Sequence, residues 1–298
     1  MLPNRQRSLM PVLMLAPALL LIAVFILYPL VKAFFYSFEQ YVLTAPNQRA
    51  FIGLDNFAAL ADDADFYLSL KNTSIWVLGS LAGQFILGFA LALLLEKHFR
   101  GRTLYRAVVF SPWAISGFLI AVMWKWLLNP QYGPVNQLLL GAGLMERPIA
   151  FLSHPDFALP SVIAANVWYG IPFFAIMLGA GLASIPRELY QAAAIDGAGA
   201  LQRFVNITVP AMLPVIFAAL LLRSIWIFNF ADLIWVMTNG GPANKSQILV
   251  TYLFTTAYKN LNFGYAGALS VTIFLLLAAG IGAFFLLNRF ISVKGRQT

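Results

Sequence analysis

Six stretches of this chain run without a single charged side chain: residues 9–31, 72–95, 107–124, 157–186, 204–222 and 260–288. A helix needs about 20 mostly apolar residues to cross a hydrocarbon core ~30 Å thick, and each stretch approaches or exceeds that length. A soluble core has no use for six such elements. The composition agrees: 61% of residues are hydrophobic and 10% are charged, against about 25% charged in a soluble domain. The expected class is an all-α membrane protein with helices near 10–37, 72–95, 106–128, 158–182, 209–236 and 266–289. The uncharged stretch 126–145 contains Asn129, Pro130, Gln131, Gly133, Pro134, Asn136 and Gln137. Polar groups at that density cannot be satisfied in lipid, so it reads as an outside loop or an interfacial segment. Arg5 and Arg7 before the first run resemble the start of a signal peptide. The run is longer than a signal core, however, and no small-residue cleavage site follows, so it reads as a retained span.

An even number of spans puts both termini on one side, and the distribution of basic residues says which. With the N-terminus inside, the inner segments hold Arg5, Arg7, Lys97, Arg100, Arg102, Arg106, Arg187, Arg203, Arg289, Lys294 and Arg296, eleven in all. The outer loops hold five: Arg49, Lys71, Arg147, Lys245 and Lys259. Lys32 and Lys125 lie near outer helix ends, where they can snorkel. The expected topology is N-in and C-in. The net charge of +8 is spread over these loops and forms no nucleic-acid patch. The chain has no cysteine and only two histidines, His98 and His154, both read as solvated. Disulfides, thiolate metal sites and cysteine nucleophiles are thereby excluded. Three glycosylation-like triplets, at Asn72, Asn206 and Asn244, are at chance frequency for this length.

The inside segment 184–210 is longer than a helical hairpin requires, and it is organised. Ser184 suits an N-cap, Pro186 a first helical turn, and Glu188 the positive end of the helix dipole. Residues 189–195 include Ala192, Ala193 and Ala194, good helix formers, and Asp196-Gly197 reads as a stop. A second short helix is expected over 200–205, before Pro210 and Pro214 break or kink the chain. Three successive alanines make either an ordinary surface helix or a docking element whose backbone a partner can approach closely.

Gln191-Ala192-Ala193, three residues, Gly197, nine residues, Ile207, one residue and Val209-Pro210 resemble the EAA loop of ABC-importer permeases. That loop has Glu where this chain has Gln191, and Leu where it has Val209. The resemblance extends to Arg100-Gly101-Arg102 with Pro112-Trp113, to Asn239-Gly240-Gly241-Pro242 and to Gly264-Tyr265-Ala266-Gly267-Ala268. These features are similar to the carbohydrate branch, the permeases of maltose, lactose and glycerol-phosphate type. The resemblance implies a single transmembrane permease domain over 1–298, with an EAA helix pair between helices four and five. In that family the first EAA helix couples to a cytoplasmic ATPase, which assigns coupling to Glu188, Gln191, Ala192, Ala193, Asp196 and Gly197. It also implies three kinds of partner: a second homologous permease, an ABC ATPase dimer that carries ATP and Mg, and a periplasmic or lipid-anchored solute-binding protein. The loops 38–71 and 237–265 would face the binding protein, with Asp62, Asp63 and Asp65 as charges it could read.

Polar groups inside a span are candidate functional sites. The fifth run contains Arg223, Asn229 and Asp232 among Trp226, Phe228 and Phe230. On one continuous helix Arg223 and Asp232 face opposite sides, whereas Trp226, Asn229 and Phe230 share a face. A ring beside an amide suits a sugar, whose apolar face stacks and whose hydroxyls hydrogen-bond. The fourth run offers Asn166, Trp168, Tyr169 and Phe173 around Gly170-Ile171-Pro172, where a loosened helix could expose carbonyls to a cavity. The resemblance to maltose-type permeases assigns the sugar site to Tyr169, Gly170, Phe173, Trp226, Ile227, Asn229 and Phe230. Taken singly, any of these aromatics equally suits packing between helices. Arg223 suits either an anionic solute or a packing or snorkelling role.

Nucleotide motifs are missing. The nearest approach to a P-loop is Lys245-Ser246, preceded by Asn244 where Gly is needed, and Gly179-Ala180-Gly181 leads to Ser184 where a dinucleotide loop needs its third glycine. No catalytic residue is assigned, and any ATPase must be another polypeptide. A self-sufficient secondary transporter would show internal repeats and intramembrane carboxylates; only Asp232 lies within a span. A membrane enzyme would need His-Glu-x-x-His or paired intramembrane aspartates, and neither occurs. The reading is therefore a permease subunit for a sugar-like solute, multi-pass in a prokaryotic inner membrane, with a secondary transporter as the alternative.

Overall fold

The computed structural model describes residues 4–96 and 100–294; Lys97, His98 and Arg296 lie outside the described residues. Among the described residues, five helices are long and apolar enough to cross a bilayer: Met10–Tyr36, Ala64–Glu96, Ala158–Ala183, Ala200–Met237 and Phe263–Leu286. A sixth crossing exists if Arg102–Ala114 and Gly117–Leu127, bent by 101° at their junction, form one broken span. That bend corrects the straight helix expected over 106–128. Pro112 sits in a 3-10 turn, Ile115 is extended, and Ser116 caps the next arm by accepting the Leu119 N–H at 3.4 Å.

Prolines also explain two widened turns. The π turns Ala23–Leu27 and Phe204–Thr208 each end two residues before a proline, Pro29 and Pro210. A proline ring crowds the carbonyl four residues back and donates no N–H, and the wider turn relieves both faults. Of the break or kink expected at Pro210 and Pro214, the break does not occur. Ala200 to Asn229 stays helical through the π turn.

One unit of the molecule comprises Met1–Ala64 and Leu253–Ala278. Within it a two-residue ribbon pairs Glu39 with Phe51 and Gln40 with Ala50, and a short helix, Asp55–Ala61, follows. The Asn56 amide donates to the carbonyls of Ser37 (3.0 Å) and Glu39 (2.9 Å). The start of the Phe263–Lys294 helix lies against this segment so closely that a Cβ on Gly264 would stand 2.2 Å from the Glu39 carbonyl. One on Gly267 would stand 2.8 Å from that of Ala33. The glycines of the Gly264–Ala268 motif thus serve close backbone approach.

The other unit comprises Asp65–Tyr252 and Ala279–Thr298. Its Ala64–Glu96 helix starts well before the apolar run and buries a stripe that includes Ser69, Asn72, Thr73, Trp76, Ser80, Gln84, Gly88 and Ala92. Small and polar side chains face inward while Leu78, Ile86, Leu87 and Leu94 face outward, the reverse of a soluble helix. Lipid provides no hydrophobic drive between helices, so close packing and hydrogen bonds must hold them. Asn72 donates to the carbonyls of Asn244 (3.1 Å) and Gln247 (3.0 Å), and Thr73 Oγ1 accepts the Leu249 N–H at 2.9 Å. These bonds pin the 239–249 turn to the helix, so the Asn72 triplet is structural. The stretch 126–145 contains a short helix, Pro134–Gly141. Its asparagines satisfy the loop backbone: Asn129 Oδ1 accepts from the N–H groups of Gln131 and Tyr132, and Asn136 bonds Ile149 in both directions.

Candidate functional site

Three helices of the second unit converge on Arg223. Its Nε donates to Gln84 Oε1 at 2.6 Å, and Gln84 Nε2 donates to the Asn166 carbonyl at 2.8 Å. The guanidinium lies 5.8 Å from the Tyr169 ring centre and 5.7 Å from that of Phe173. Arg223 is only 4% exposed and has no acidic partner among the described residues, so its charge is held by an amide oxygen and two ring faces. It is a packed residue within the protein and does not snorkel. Gln84 reaches it because Gly170 has no side chain: a Cβ there would lie 2.0 Å from Gln84 Cδ. The Asn166 side chain is fully enclosed, and its amide has no hydrogen-bond partner.

Over this arrangement opens a recess of about 280 Å³, lined by Tyr169, Arg223, Ile225, Trp226, Ile227, Asn229 and Phe230. Tyr169 and Phe230 stack with centres 5.5 Å apart and planes at 19°. Trp226, 49% exposed, leans on Phe173 at 5.5 Å. Asn229 Nδ2 donates to the Ile225 carbonyl at 2.9 Å, leaving its Oδ1 free to accept. Of the seven expected substrate residues, Tyr169, Trp226, Ile227, Asn229 and Phe230 line the recess. Gly170 and Phe173 lie beneath it, one making room for Gln84 and the other supporting Trp226 and Arg223. The Ile227 side chain is buried and its carbonyl accepts the Trp76 Nε1 proton at 2.9 Å, which fixes the end of the helix.

Two backbone expectations are corrected here. The helix Ala158–Ala183 continues through Pro172 without interruption, so the Gly170–Pro172 segment is not loosened. The break is in the next span, where Val209–Asn229 ends, Phe230 turns out of helical geometry with ψ at 81°, and Asp232–Met237 begins. Arg223 and Asp232 therefore lie on opposite sides of an interruption within the Ala200–Met237 span, and the helix expected over 209–236 is broken at Phe230–Ala231. Asp232 is exposed at the start of the second. Beneath the break, a Cβ on Gly117 would stand 2.7 Å from the Phe230 ring. Missing from the sequence reading were Gln84 and the role of Trp113, which packs on Phe173 at 6.0 Å. An amide at the middle of an apolar span was the available signal for Gln84.

The hairpin expected over 184–210 forms as helix Arg187–Ile195, a turn with Gly197 at φ +77°, and a second helix from Ala200. Its N-cap is Pro186; Ser184 instead closes the preceding helix, its hydroxyl donating to the Gly181 carbonyl at 2.7 Å. Tyr190 and Thr208 share a hydroxyl hydrogen bond of 2.8 Å that ties the hairpin to the base of the following helix. Glu188, Gln191, Ala192, Asp196 and Gly197 are exposed and Ala193 is half-buried. Leu189 and Ile195 are also exposed, Ile195 to 87%. Of Asp62, Asp63 and Asp65, Asp63 accepts the Tyr265 hydroxyl and Asp65 accepts Asn244 Nδ2 at 3.1 Å, so both brace the chain itself. His154 is partly exposed and accepts the Asp156 N–H at 3.2 Å.

Residues 84–294 match the family of binding-protein-dependent transport system inner membrane components. The trehalose/maltose transport system permease of Thermococcus litoralis is 34% identical over 279 residues, covering 93% of this chain and 93% of the relative. The sulfoquinovosyl glycerol transport system permease of Agrobacterium fabrum is 34% identical over 268 residues, covering 90% of this chain and 86% of the relative. A bacterial ABC transporter involved in import of the acidic polysaccharide alginate matches with a TM-score of 0.83 at 25% identity, over 96% of this chain and 97% of that one. With a family match across most of its length and its apolar helices, the chain belongs to the inner-membrane permease components of binding-protein-dependent ABC transporters and is multi-pass in the membrane.

Proposed function

We propose that this permease passes a sugar or sugar derivative through the recess at the Phe230 break, as one of two homologous membrane subunits of an ATP-driven importer. The observation that carries the reading is the pairing of exposed ring faces with an amide at a helix break. Trp226 and the Tyr169–Phe230 stack offer apolar faces, and Asn229 offers hydrogen bonding. Few polar groups in an apolar cavity fix orientation. Relatives named for trehalose/maltose and sulfoquinovosyl glycerol transport support this class.

In this reading the chain crosses the membrane six times, the bent pair counting as one crossing, with both termini in the cytoplasm. Glu188, Gln191, Ala192, Ala193, Asp196 and Gly197 form the surface that seats in an ATPase dimer, where ATP and Mg are bound. Closure of that dimer moves the hairpin, and through Tyr190–Thr208 the base of the span that ends at the recess, turning the cavity outward. A periplasmic or lipid-anchored binding protein delivers solute to the outer loops, where Asp62 is an exposed carboxylate. The test is uptake by the reconstituted importer. Trp226→Ala and Asn229→Ala should each lower uptake about tenfold, the effect of about 1.4 kcal/mol, without loss of assembled complex. Unchanged uptake in both would remove the recess from the pathway.

A further inference from the structure

We propose that the cleft where Ala64–Glu96 ends and Arg102–Phe110 begins, beside the end of Ala158–Ala183, binds one anionic phospholipid of the inner leaflet. The cleft measures about 330 Å³ and has two unlike walls. One wall carries Arg102 and Arg106, one helical turn apart on the same face of their helix. Arg102 is the first residue of that helix, where the dipole also favours an anion. Arg102 Nε is enclosed without a hydrogen-bond partner. Neither guanidinium is ion-paired among the described residues. Glu96, on the same rim, is exposed and pairs with neither.

The facing wall is apolar. Ala175, Gly179, Ala180 and Ala183 line it with minimal side chains, and a Cβ added to Gly179 would meet nothing within 4 Å. A small soluble anion would use the arginines and leave the apolar half empty. A phospholipid uses both, with its phosphate on Arg102 and Arg106 and an acyl chain along the Gly179 side. The choice of leaflet rests on the N-in orientation proposed above, which places these arginines at the cytoplasmic headgroup level. Basic pockets between spans at that level select anionic headgroups.

The test uses the whole importer, reconstituted in vesicles of equal parts phosphatidylcholine and phosphatidylglycerol, re-extracted, and examined by native mass spectrometry. Wild type should retain a phosphatidylglycerol molecule on this subunit. Retention should drop about tenfold, the loss of a charge-assisted contact, in the double variant Arg102→Gln/Arg106→Gln. It should drop similarly in Gly179→Leu, which fills the apolar half without altering charge. Equal retention in all three would overturn the proposal. Loss in the arginine variant alone would also overturn it, since a charged surface would then collect lipid without the cleft. A photo-cross-linker at position 179 that captures a partner subunit would make the cleft a protein interface instead. Side-specific labelling of residues 100–106 reads the orientation separately, so an error there is distinguishable from failure to bind lipid.

Discussion

A buried cation without a carboxylate is costly unless its N–H groups find acceptors. Arg223 meets that demand through Gln84, 139 residues away in sequence. Gln84→Leu should therefore lower stability by about 2 kcal/mol, the usual worth of a hydrogen bond to a charged group. The readout is the thermal unfolding midpoint of the purified complex; an unaltered midpoint would show that the two ring faces suffice. Glycines on one helix provide an internal control. Gly170→Ala drives a Cβ into Gln84, whereas Gly179→Ala points into open space. The first should reduce the yield of folded protein and the second should not. Equal yields would mean that Gln84 shifts freely. From sequence, Trp226 and Asn229 were legible as neighbours because i, i+3 spacing places them on one face. Gln84 was not, because nothing local couples it to Arg223.

At the level of elements, chain breaks rather than whole helices shape the site. Both interrupted spans break near the recess, at Ser116 and at Phe230, and the packing of Gly117 under the Phe230 ring joins the two breaks. Trp76→Phe removes the Nε1 bond to the Ile227 carbonyl and leaves part of the buried indole's space empty, so it should cost at least about 2 kcal/mol and loosen the end of that helix. Hydrogen exchange at 227–231 should rise; unchanged protection would mean that packing alone holds the break. The hairpin turn permits a test of coupling. Gly197 has a positive φ, which Asp tolerates better than most residues, so Gly197→Asp adds a charge to an exposed surface with little backbone strain. The variant should reach the membrane in normal amount yet lose solute-stimulated ATP hydrolysis. Normal stimulation would remove Gly197 from the coupling surface.

At the scale of the molecule, much of what this chain needs lies outside it. Its Met10–Tyr36 span has no residue buried within the chain. Ile195 and Leu189 stand exposed on the hairpin in the same way. Tagged chain taken from its native membrane should co-purify with an ATPase carrying a P-loop and with a second permease, identified by mass spectrometry. A chain that purified alone and moved solute into liposomes without ATP would instead be a secondary transporter, with Asp232 the first residue to substitute.

Five spans, the membrane class and the family were legible in the sequence because each depends on short-range pattern. Twenty apolar residues must leave water whatever surrounds them, and the EAA spacing is read within one loop. The hairpin was legible for the same reason, since propensity and a glycine stop act locally. Only the tertiary structure decided where helices break and which polar groups meet. Pro172 lies in an intact helix and Phe230, with no proline beside it, marks a break. A helix yields where neighbouring groups bond its freed carbonyls and leave room for its turn, and those neighbours, Trp76 for the bond and Gly117 for the room, are distant in sequence and adjacent only in the folded chain.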